Sequence, residues 1–184
     1  KSTLPPISPA AWTSIATGLT PEEHRIFEFM QLNKKELKFT FAVNKFRSIK
    51  KKIWNILEKR GIKSAILGFP LMYPPEKING IAVTGILTPP MSSNIAYPPE
   101  VGKLLRRLDY APLLEIEKII ASYYVNPDIT FKKLLYSLYR KAMIFLYLLK
   151  RYRWRFAFIV LSETDIIQHY FFHDKAKMDD LYAY

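Results

Sequence analysis

The chain has 184 residues, no cysteine and a formal net charge of +12. With 49% hydrophobic and 24% charged residues, it has the composition of a globular chain that buries a core, which excludes a disordered one. The lack of cysteine excludes disulfides and thiolate metal sites, so any metal must bind through oxygen and nitrogen ligands. We expect a single domain over residues 1–184 and a cytoplasmic location.

The basic residues are spread along the chain and match no nucleic-acid-binding motif. They predict lysine-rich solvated faces, with an acidic membrane surface or attraction of anionic substrates as alternatives, and they make nucleic acid an unlikely partner. The longest apolar run, residues 142–149, is too short to cross a hydrocarbon core of about 30 Å. We therefore expect no membrane span, and the sequence gives no oligomeric state.

In chain order, the first predicted element is a helix that begins at Ser8-Pro9 and ends at Gly18. Serine is a preferred N-cap, proline is favoured at the first helical position and glycine at the end. This places the Ser8 hydroxyl at the positive end of a helix, which attracts anions such as phosphate. An ordinary capping serine and a nucleophile are both compatible with this position. Thr20-Pro21 begins a second short helix, in which His24 has a structural role.

The middle of the chain alternates helix and strand, which predicts an α/β fold with a mainly parallel sheet sandwiched between helices. A rim of loops rich in proline and glycine, residues 69–99, indicates a place where binding groups collect. The predicted elements are a helix over 49–60, strands over 62–68 and 81–87, helices over 104–110 and 113–124, and a long amphipathic helix over 131–150.

The last predicted strand, residues 156–161, is apolar throughout, which is typical of a strand buried on both faces. Asp165 and His169 follow it, and reacting groups in open α/β sheets lie beyond the carboxyl ends of strands. Their spacing of four residues places a carboxylate and an imidazole on one side of a helical turn, within reach of one cation. The pair is therefore half of a metal site or an ordinary surface pair.

Four segments together resemble the type I phosphodiesterase/nucleotide pyrophosphatase family, in particular its archaeal branch, within the alkaline phosphatase superfamily. The resemblance runs in order over nearly the whole chain, and the chain looks like a fragment of a family member. At position 25, Arg25 stands where the family usually has glycine. The segments are Leu4–His24, Pro70–Pro75, Gly85–Pro90 and Glu163–His169.

The resemblance implies an alkaline phosphatase-like core and a hydrolase with two divalent metal ions, zinc or alternatively manganese. A serine or threonine at a helix N-terminus would attack phosphorus and form a covalent intermediate. The matched nucleophile position is Ser8, with Thr13 as an alternative that lies inside the helix. Asp165 and His169 match a metal-binding Asp-x-x-x-His pair.

We therefore expect a metal-dependent hydrolase that cleaves phosphodiester or pyrophosphate bonds, with a phosphate ester, such as a nucleotide, as substrate. Thr17 and Tyr73 are predicted from loop position to line the pocket. Two rivals stay open: phosphomonoesterase, phosphomutase or sulfatase chemistry on the same scaffold, and a truncated, inactive homologue that serves as a binding protein.

Overall fold

The fold is built on a four-stranded, mainly parallel sheet with helices on both faces. A computed structural model describes residues 2–33, 37–89, 91–112 and 121–183. In chain order the elements are α1 (Ser8–Thr17), α2 (Pro21–His24), β1 (Met30–Asn33), β2 (Lys38–Phe41), α3 (Ala42–Ser48), α4 (Ile53–Lys59), β3 (Ser64–Phe69), β4 (Gly80–Thr84), β5 (Ala96–Tyr97), α5 (Pro99–Arg107), α6 (Pro127–Arg151), β6 (Phe156–Ile159), α7 (Ser162–Phe171) and α8 (Lys175–Tyr182).

The central sheet has the strand order β5-β4-β3-β6. β3 pairs in parallel with both β4 and β6, and the short β5 pairs antiparallel with β4. A separate antiparallel hairpin joins β1 and β2. The carboxyl ends of β3, β4 and β6 therefore lie at the same edge of the sheet, where α/β proteins place their ligands. The predicted α/β class with a mainly parallel sheet is confirmed.

Alternate side chains of β3 supply the two cores that hold this sheet between its helices. Ile66 and Phe69 pack with Phe46 and Trp54 on the side of α1, α3 and α4. Ala65 and Leu67 pack on the other side in a second cluster with residues of α5 and α6. A bulge between Leu67 and Phe69 shifts the register there. Because all six residues of β3 are buried, this strand anchors both layers.

The N-terminal helices form close to their predicted positions. α1 begins at Ser8, one residue earlier than the N-cap assignment predicted, because the Ile7 carbonyl accepts the first helical bond, from the Ala11 N–H at 3.0 Å. Gly18 ends the helix in the left-handed conformation, as predicted. Thr20 caps α2, and its N–H donates to the Glu23 carboxylate. Arg25 then adopts a φ of 55°, which is a conformation that favours glycine.

The helix predicted over 49–60 is wrong at its start, because α4 begins only at Ile53. The residues before it are held by the Lys52 ammonium, which is buried and lies 2.8 Å from the Glu76 carboxylate. The Trp54 indole N–H donates to the same carboxylate. Burial lowers the pKa of Lys52, although Glu76 opposes that shift. This ion pair ties the proline-rich loop after β3 to the helical layer.

The prediction that residues 156–161 form a strand buried on both faces is also wrong. β6 covers only Phe156–Ile159 and lies at the edge of the described sheet, paired with β3 alone. Its side chains are half-buried, and that of Ile159 is 41% exposed. An apolar run indicates that the side chains of a strand are suited to the protein interior. How much of their surface is buried depends on how many strands and helices pack against that strand.

The remaining boundaries differ by a few residues. α5 begins at Pro99 rather than at 104 and ends at Arg107. α6 begins at Pro127 rather than near 131, because the Asn126 side chain caps it by accepting from the Ile129 N–H. Most of the helix predicted over 113–124 lies outside the described residues. Within the described ranges, no helix is both long and apolar enough to span a bilayer.

Gly68 lies at the bulge of β3 and has no room for a side chain. Its φ is +76°, and a Cβ there would lie 2.4 Å from the Val160 carbonyl oxygen. Gly61 has a similar φ of +70°, but a Cβ there would meet no atom within 4 Å. We expect Gly68→Ala to lower the free energy of unfolding by at least about 3 kcal/mol, because backbone strain and a backbone clash add.

The matched variant, Gly61→Ala, introduces only the backbone strain, so we expect it to lower the free energy of unfolding by about 1 kcal/mol. Urea unfolding followed by tryptophan fluorescence measures both values. Equal losses in the two variants would contradict the close approach of the β3 bulge to Val160.

Candidate active site

An open cavity of about 610 Å³ lies at the carboxyl edge of the sheet. Loop residues that follow three parallel strands form its base: Pro70 after β3, Ile86 after β4 and Val160 after β6. Ser8 at the start of α1 lines one part, and Asp165 and His169 of α7 line another. The structure thus brings the predicted nucleophile and the predicted metal pair, which are about 157 residues apart in sequence, to one cavity.

Ser8 is exposed at the first helical position of α1, where the hydroxyl can reach a ligand. Thr13, the alternative nucleophile, is fully buried, and its hydroxyl donates to the Pro9 carbonyl at 2.7 Å. Such a bond back to the preceding turn occupies the hydroxyl inside the helix. Geometry therefore favours Ser8 over Thr13 as the hydroxyl that faces the cavity.

Asp165 and His169 lie one turn apart on α7, as their spacing predicts. The His169 Nε2 atom is 3.6 Å from the Asp165 Oδ1 atom, and the side chains are 72% and 68% exposed. That distance is too long for a strong hydrogen bond, and both residues line the cavity.

Two helix N-termini meet at this cavity. α1 begins at Ser8 and α7 begins at Ser162, and both residues line it. The first N–H groups of a helix have no partner within the helix, and the helix dipole is positive at that end. No lysine or arginine is present among the described lining residues. An anion bound here would therefore be held by backbone dipoles and by any cation that Asp165 and His169 recruit.

Thr17 and Tyr73, which the sequence placed at the pocket, are not among its described lining residues. Thr17 lies at the opposite end of α1 from Ser8, is buried, and donates its hydroxyl to the Thr13 carbonyl at 2.7 Å. The Tyr73 hydroxyl accepts a hydrogen bond from the Ser92 hydroxyl at 3.0 Å. Both side chains are thus engaged in contacts of their own, away from the cavity.

Trp12, Phe29 and Thr164 are among the lining residues that the sequence analysis missed. Trp12 lies four residues after Ser8, so the helical period could have placed it on the same side. Its indole packs edge-on against Phe69, with ring centroids 5.8 Å apart. No sequence pattern places Phe29 or Thr164 at the cavity, because their positions depend on how the neighbouring loops and α7 fold.

His24 is a structural residue, as expected. Its Nδ1 atom accepts from the Ile26 N–H at 3.0 Å, so Nε2 carries the proton and donates to the Ser14 hydroxyl at 3.1 Å. Burial lowers the pKa of the imidazole, which keeps it neutral. These bonds fix α2 against α1 and so help to hold the helix that carries Ser8.

A buried ion pair fixes the start of α7 against α6. The Lys141 ammonium lies 2.6 Å from Glu163 Oε1, and the Ser137 hydroxyl donates to the same oxygen at 2.9 Å. Glu163 and Lys141 are both buried, and Oε2 of Glu163 has no hydrogen-bond partner among the described residues. Burial, and to a lesser extent the charge of Glu163, raises the pKa of Tyr110. Since Glu163 lies two residues before Asp165, this pair sets the position of the candidate ligands.

The donors in the cavity fit a metal only in part. A carboxylate and an imidazole are suitable ligands for zinc or manganese. A catalytic zinc site usually has three protein ligands, however, and no group of three or more such side chains occurs in the described ranges. The described residues therefore offer two side chains of the type that bind such metals, which is fewer than a catalytic zinc site usually has.

An exposed hydroxyl and an anion-attracting cavity at the carboxyl edge of a parallel sheet are typical of α/β enzymes that act on phosphate-bearing substrates. A family model described as type I phosphodiesterase / nucleotide pyrophosphatase matches residues 1–184, and the chain belongs to this family. No curated protein and no solved structure matches it.

Membership in this family makes the chain an enzyme of the phosphodiesterase/nucleotide pyrophosphatase type, which acts on phosphodiester or nucleotide substrates and is generally metal-dependent. The sheet and its helical layers are consistent with the alkaline phosphatase-like core that the sequence led us to expect.

The buried ion pair provides a test of how α7 is held. We expect Lys141→Met to lower the free energy of unfolding by about 3–5 kcal/mol, because it leaves the Glu163 charge buried without its partner. Replacing both residues, as Lys141→Met with Glu163→Leu, should recover most of that loss. Urea unfolding of the three proteins gives these differences.

Arg140 provides the matched control, since its pair with Asp109, at 3.2 Å, lies at the surface. We expect Arg140→Met to lower the free energy of unfolding by less than about 1 kcal/mol. Equal costs for Arg140→Met and Lys141→Met would contradict the buried ion pair.

Proposed function

We propose that the chain hydrolyses phosphodiester or pyrophosphate bonds through a covalent phosphoserine formed on Ser8, with Asp165 and His169 as ligands of a divalent metal, zinc or manganese. By family resemblance the complete site holds two such metals. The chain is proposed to form one α/β domain, residues 1–184, within an alkaline phosphatase-like catalytic domain. Thr17 and Tyr73 are not part of this proposal, because both lie outside the cavity.

The observation that carries the proposal is that Ser8, Asp165 and His169 line one cavity. Each is weak evidence alone, since capping serines and Asp–His surface pairs are common. Their convergence at the carboxyl edge of the sheet, where two helix N-termini also meet, is not required for folding. A hydroxyl and two metal-type donors around an anion-attracting cavity are the groups that phosphoryl transfer uses.

In the proposed reaction, a phosphoryl group lies at the N-terminus of α1 with its phosphorus near Ser8 Oγ. Ser8 passes its proton to solvent water as its oxygen bonds to phosphorus, and the bond from phosphorus to the leaving oxygen breaks, so that the leaving group departs and takes up a proton from water. Water then attacks the phosphoserine and releases Ser8. The N–H groups at the starts of α1 and α7 offset charge on the phosphoryl oxygens. A metal held by Asp165 and His169 would supply a positive charge that favours deprotonation of the attacking group.

A second candidate function is that of an inactive homologue that binds a phosphate ester without cleaving it. The observation in its favour is the incomplete ligand set of the described residues. Phosphomonoesterase, phosphomutase and sulfatase chemistry would use the same cavity on different substrates. Chromogenic phosphodiester, nucleotide phosphodiester, phosphomonoester and sulfate ester substrates, tested with added zinc or manganese, separate these possibilities. Ligand binding without turnover of any of them would favour the inactive homologue.

We expect Ser8→Ala to lower phosphodiester turnover by at least about 1,000-fold, because no other described hydroxyl has the same place at the start of α1. Initial rates of nitrophenol release, measured with saturating metal, provide the test. Ser2→Ala, an exposed serine six residues earlier, is the matched control and should keep full activity. Full turnover by Ser8→Ala would remove the proposed nucleophile.

We expect His169→Ala and Asp165→Asn each to weaken zinc binding by at least about tenfold, because each removes one of two ligands. Calorimetric titration with zinc measures this independently of turnover. His173→Ala is the control, since His173 lies one turn further along and does not line the cavity. Ser8→Ala should keep the affinity for zinc. An equal effect of His173→Ala would show that zinc binds elsewhere.

A further inference from the structure

The long helix α6 has a solvent-facing stripe of large apolar side chains. The opposite side of α6 contributes Phe131, Leu134, Phe145 and Leu148 to the protein interior. The residues of the stripe therefore lie outside the core. The exposed fractions in the stripe are 48% for Ile129, 65% for Tyr136, 64% for Tyr139, 53% for Met143, 51% for Leu146 and 42% for Tyr147. At 100° per residue, these six side chains span only about a quarter of the helix circumference. They form an apolar stripe about 27 Å long, in which Lys132 lies between Ile129 and Tyr136.

Basic side chains lie beside the stripe and at both of its ends. Lys133, Arg140 and Arg151 follow one long edge of the helix, and Lys132 and Lys150 lie near the two ends. The only acidic residue of α6 is Asp128, and the Lys177 ammonium lies 2.8 Å from its carboxylate. No carboxylate in the described ranges forms an ion pair with Lys132, Lys133, Lys150 or Arg151. The face is therefore apolar along its centre and positive along one long edge and near both ends.

Amphipathic aromatic residues flank the helix. Tyr124 precedes α6 and is 80% exposed, and Trp154 follows it and is 41% exposed. Trp154 lies between Arg153 and Arg155 in an open pocket whose described lining also includes Lys63. At the other side of the stripe, an apolar groove bordered by Asp180 and Leu181 of α8 extends the surface beside Tyr136 and Tyr139. Tyrosine, tryptophan, lysine and arginine are the residues that prefer the boundary between acyl chains and headgroups.

We propose that this face of α6, with Trp154, lies on the surface of an anionic lipid bilayer. Amphipathic helices of this kind bind in the plane of the interface, with the apolar stripe among the upper acyl chains and the basic residues against anionic headgroups. α6 has 25 residues and is therefore about 37 Å long, so it would present several lysines and arginines to the lipid at once. This binding is independent of the proposed catalysis at Ser8.

The other partners of this face fit its chemistry less well. Nucleic acid would engage the lysines but leave Met143 and Leu146 against a charged backbone. A second copy packed through the same stripe would bring basic edges close together, and like charges repel. An anionic bilayer can accommodate both the apolar centre and the basic residues along its edge and near its ends.

The test is binding to vesicles, measured by co-sedimentation of the full chain. Vesicles of phosphatidylcholine with 30% phosphatidylserine are compared with vesicles of phosphatidylcholine alone, at low and high salt. We expect binding to the anionic vesicles, at least tenfold weaker binding to the neutral ones, and weaker binding as salt rises. Light scattering of the free chain records its oligomeric state.

Two sets of variants separate the apolar and basic contributions. We expect the triple variant Tyr136→Ser, Tyr139→Ser, Met143→Ser to weaken binding at least tenfold. The triple variant Lys132→Gln, Lys133→Gln, Lys150→Gln should weaken it about fivefold per lysine and reduce its salt dependence. Circular dichroism and urea unfolding verify that each variant folds.

The controls carry the same numbers of changes elsewhere. Lys59→Gln, Lys103→Gln, Lys175→Gln removes three exposed lysines outside α6, and Leu37→Ser, Phe39→Ser, Phe41→Ser removes three exposed apolar side chains at the β1–β2 hairpin. Both control variants should keep most of the binding. The proposal is overturned by equal binding to neutral and anionic vesicles, by no binding to either, by controls that lose as much as the α6 variants, or by an oligomer that the α6 apolar variant disperses.

Discussion

The parallel pairing of β3 with β6 is the constraint on which the candidate site depends. Their register, from Ser64 opposite Phe156 to Leu67 opposite Ile159, makes the two strands end side by side. Because α7 begins three residues after β6, this register brings the start of α7 to the cavity that α1 borders. The buried contact of Glu163 with Lys141 then keeps α7 in place from the α6 side. A slip of one residue in the pairing would turn the side chains of β6 to the other face of the sheet and shift α7 with it.

The sequence predicted those features that are set by local chemistry. Proline near the first turn and glycine after the last one define α1, and Thr20 with Glu23 defines α2. The alternation of helix and strand predicted the parallel sheet, and the position of Asp165 and His169 after a strand predicted the edge at which they lie. Resemblance to a family then connected Ser8 to that pair, and the model of that family matches residues 1–184.

What the sequence predicted poorly depends on contacts between distant residues. Lys52 looks like a helical lysine until its ion pair with Glu76 is known. Thr17 lies within the matched segment Leu4–His24, yet its hydroxyl donates to the Thr13 carbonyl in the last turn of α1. Loop position alone could not show that the Tyr73 hydroxyl bonds to Ser92. The convergence of two helix N-termini was also missed, because the second depends on where β6 places α7. Packing and register, rather than propensity, decide these features.

The position of β6 at the edge of the described sheet has a consequence for the behaviour of the protein in concentrated solution. The backbone groups along the outer side of this strand offer a template to which a strand of another molecule can pair, and such pairing is a common route to aggregation. Arg153 and Arg155 lie immediately before the strand and, at a net charge of +12, approaching copies repel one another at that point. Charged residues that flank a strand at the edge of a sheet generally oppose such pairing between molecules, and Arg153 and Arg155 occupy this position beside β6.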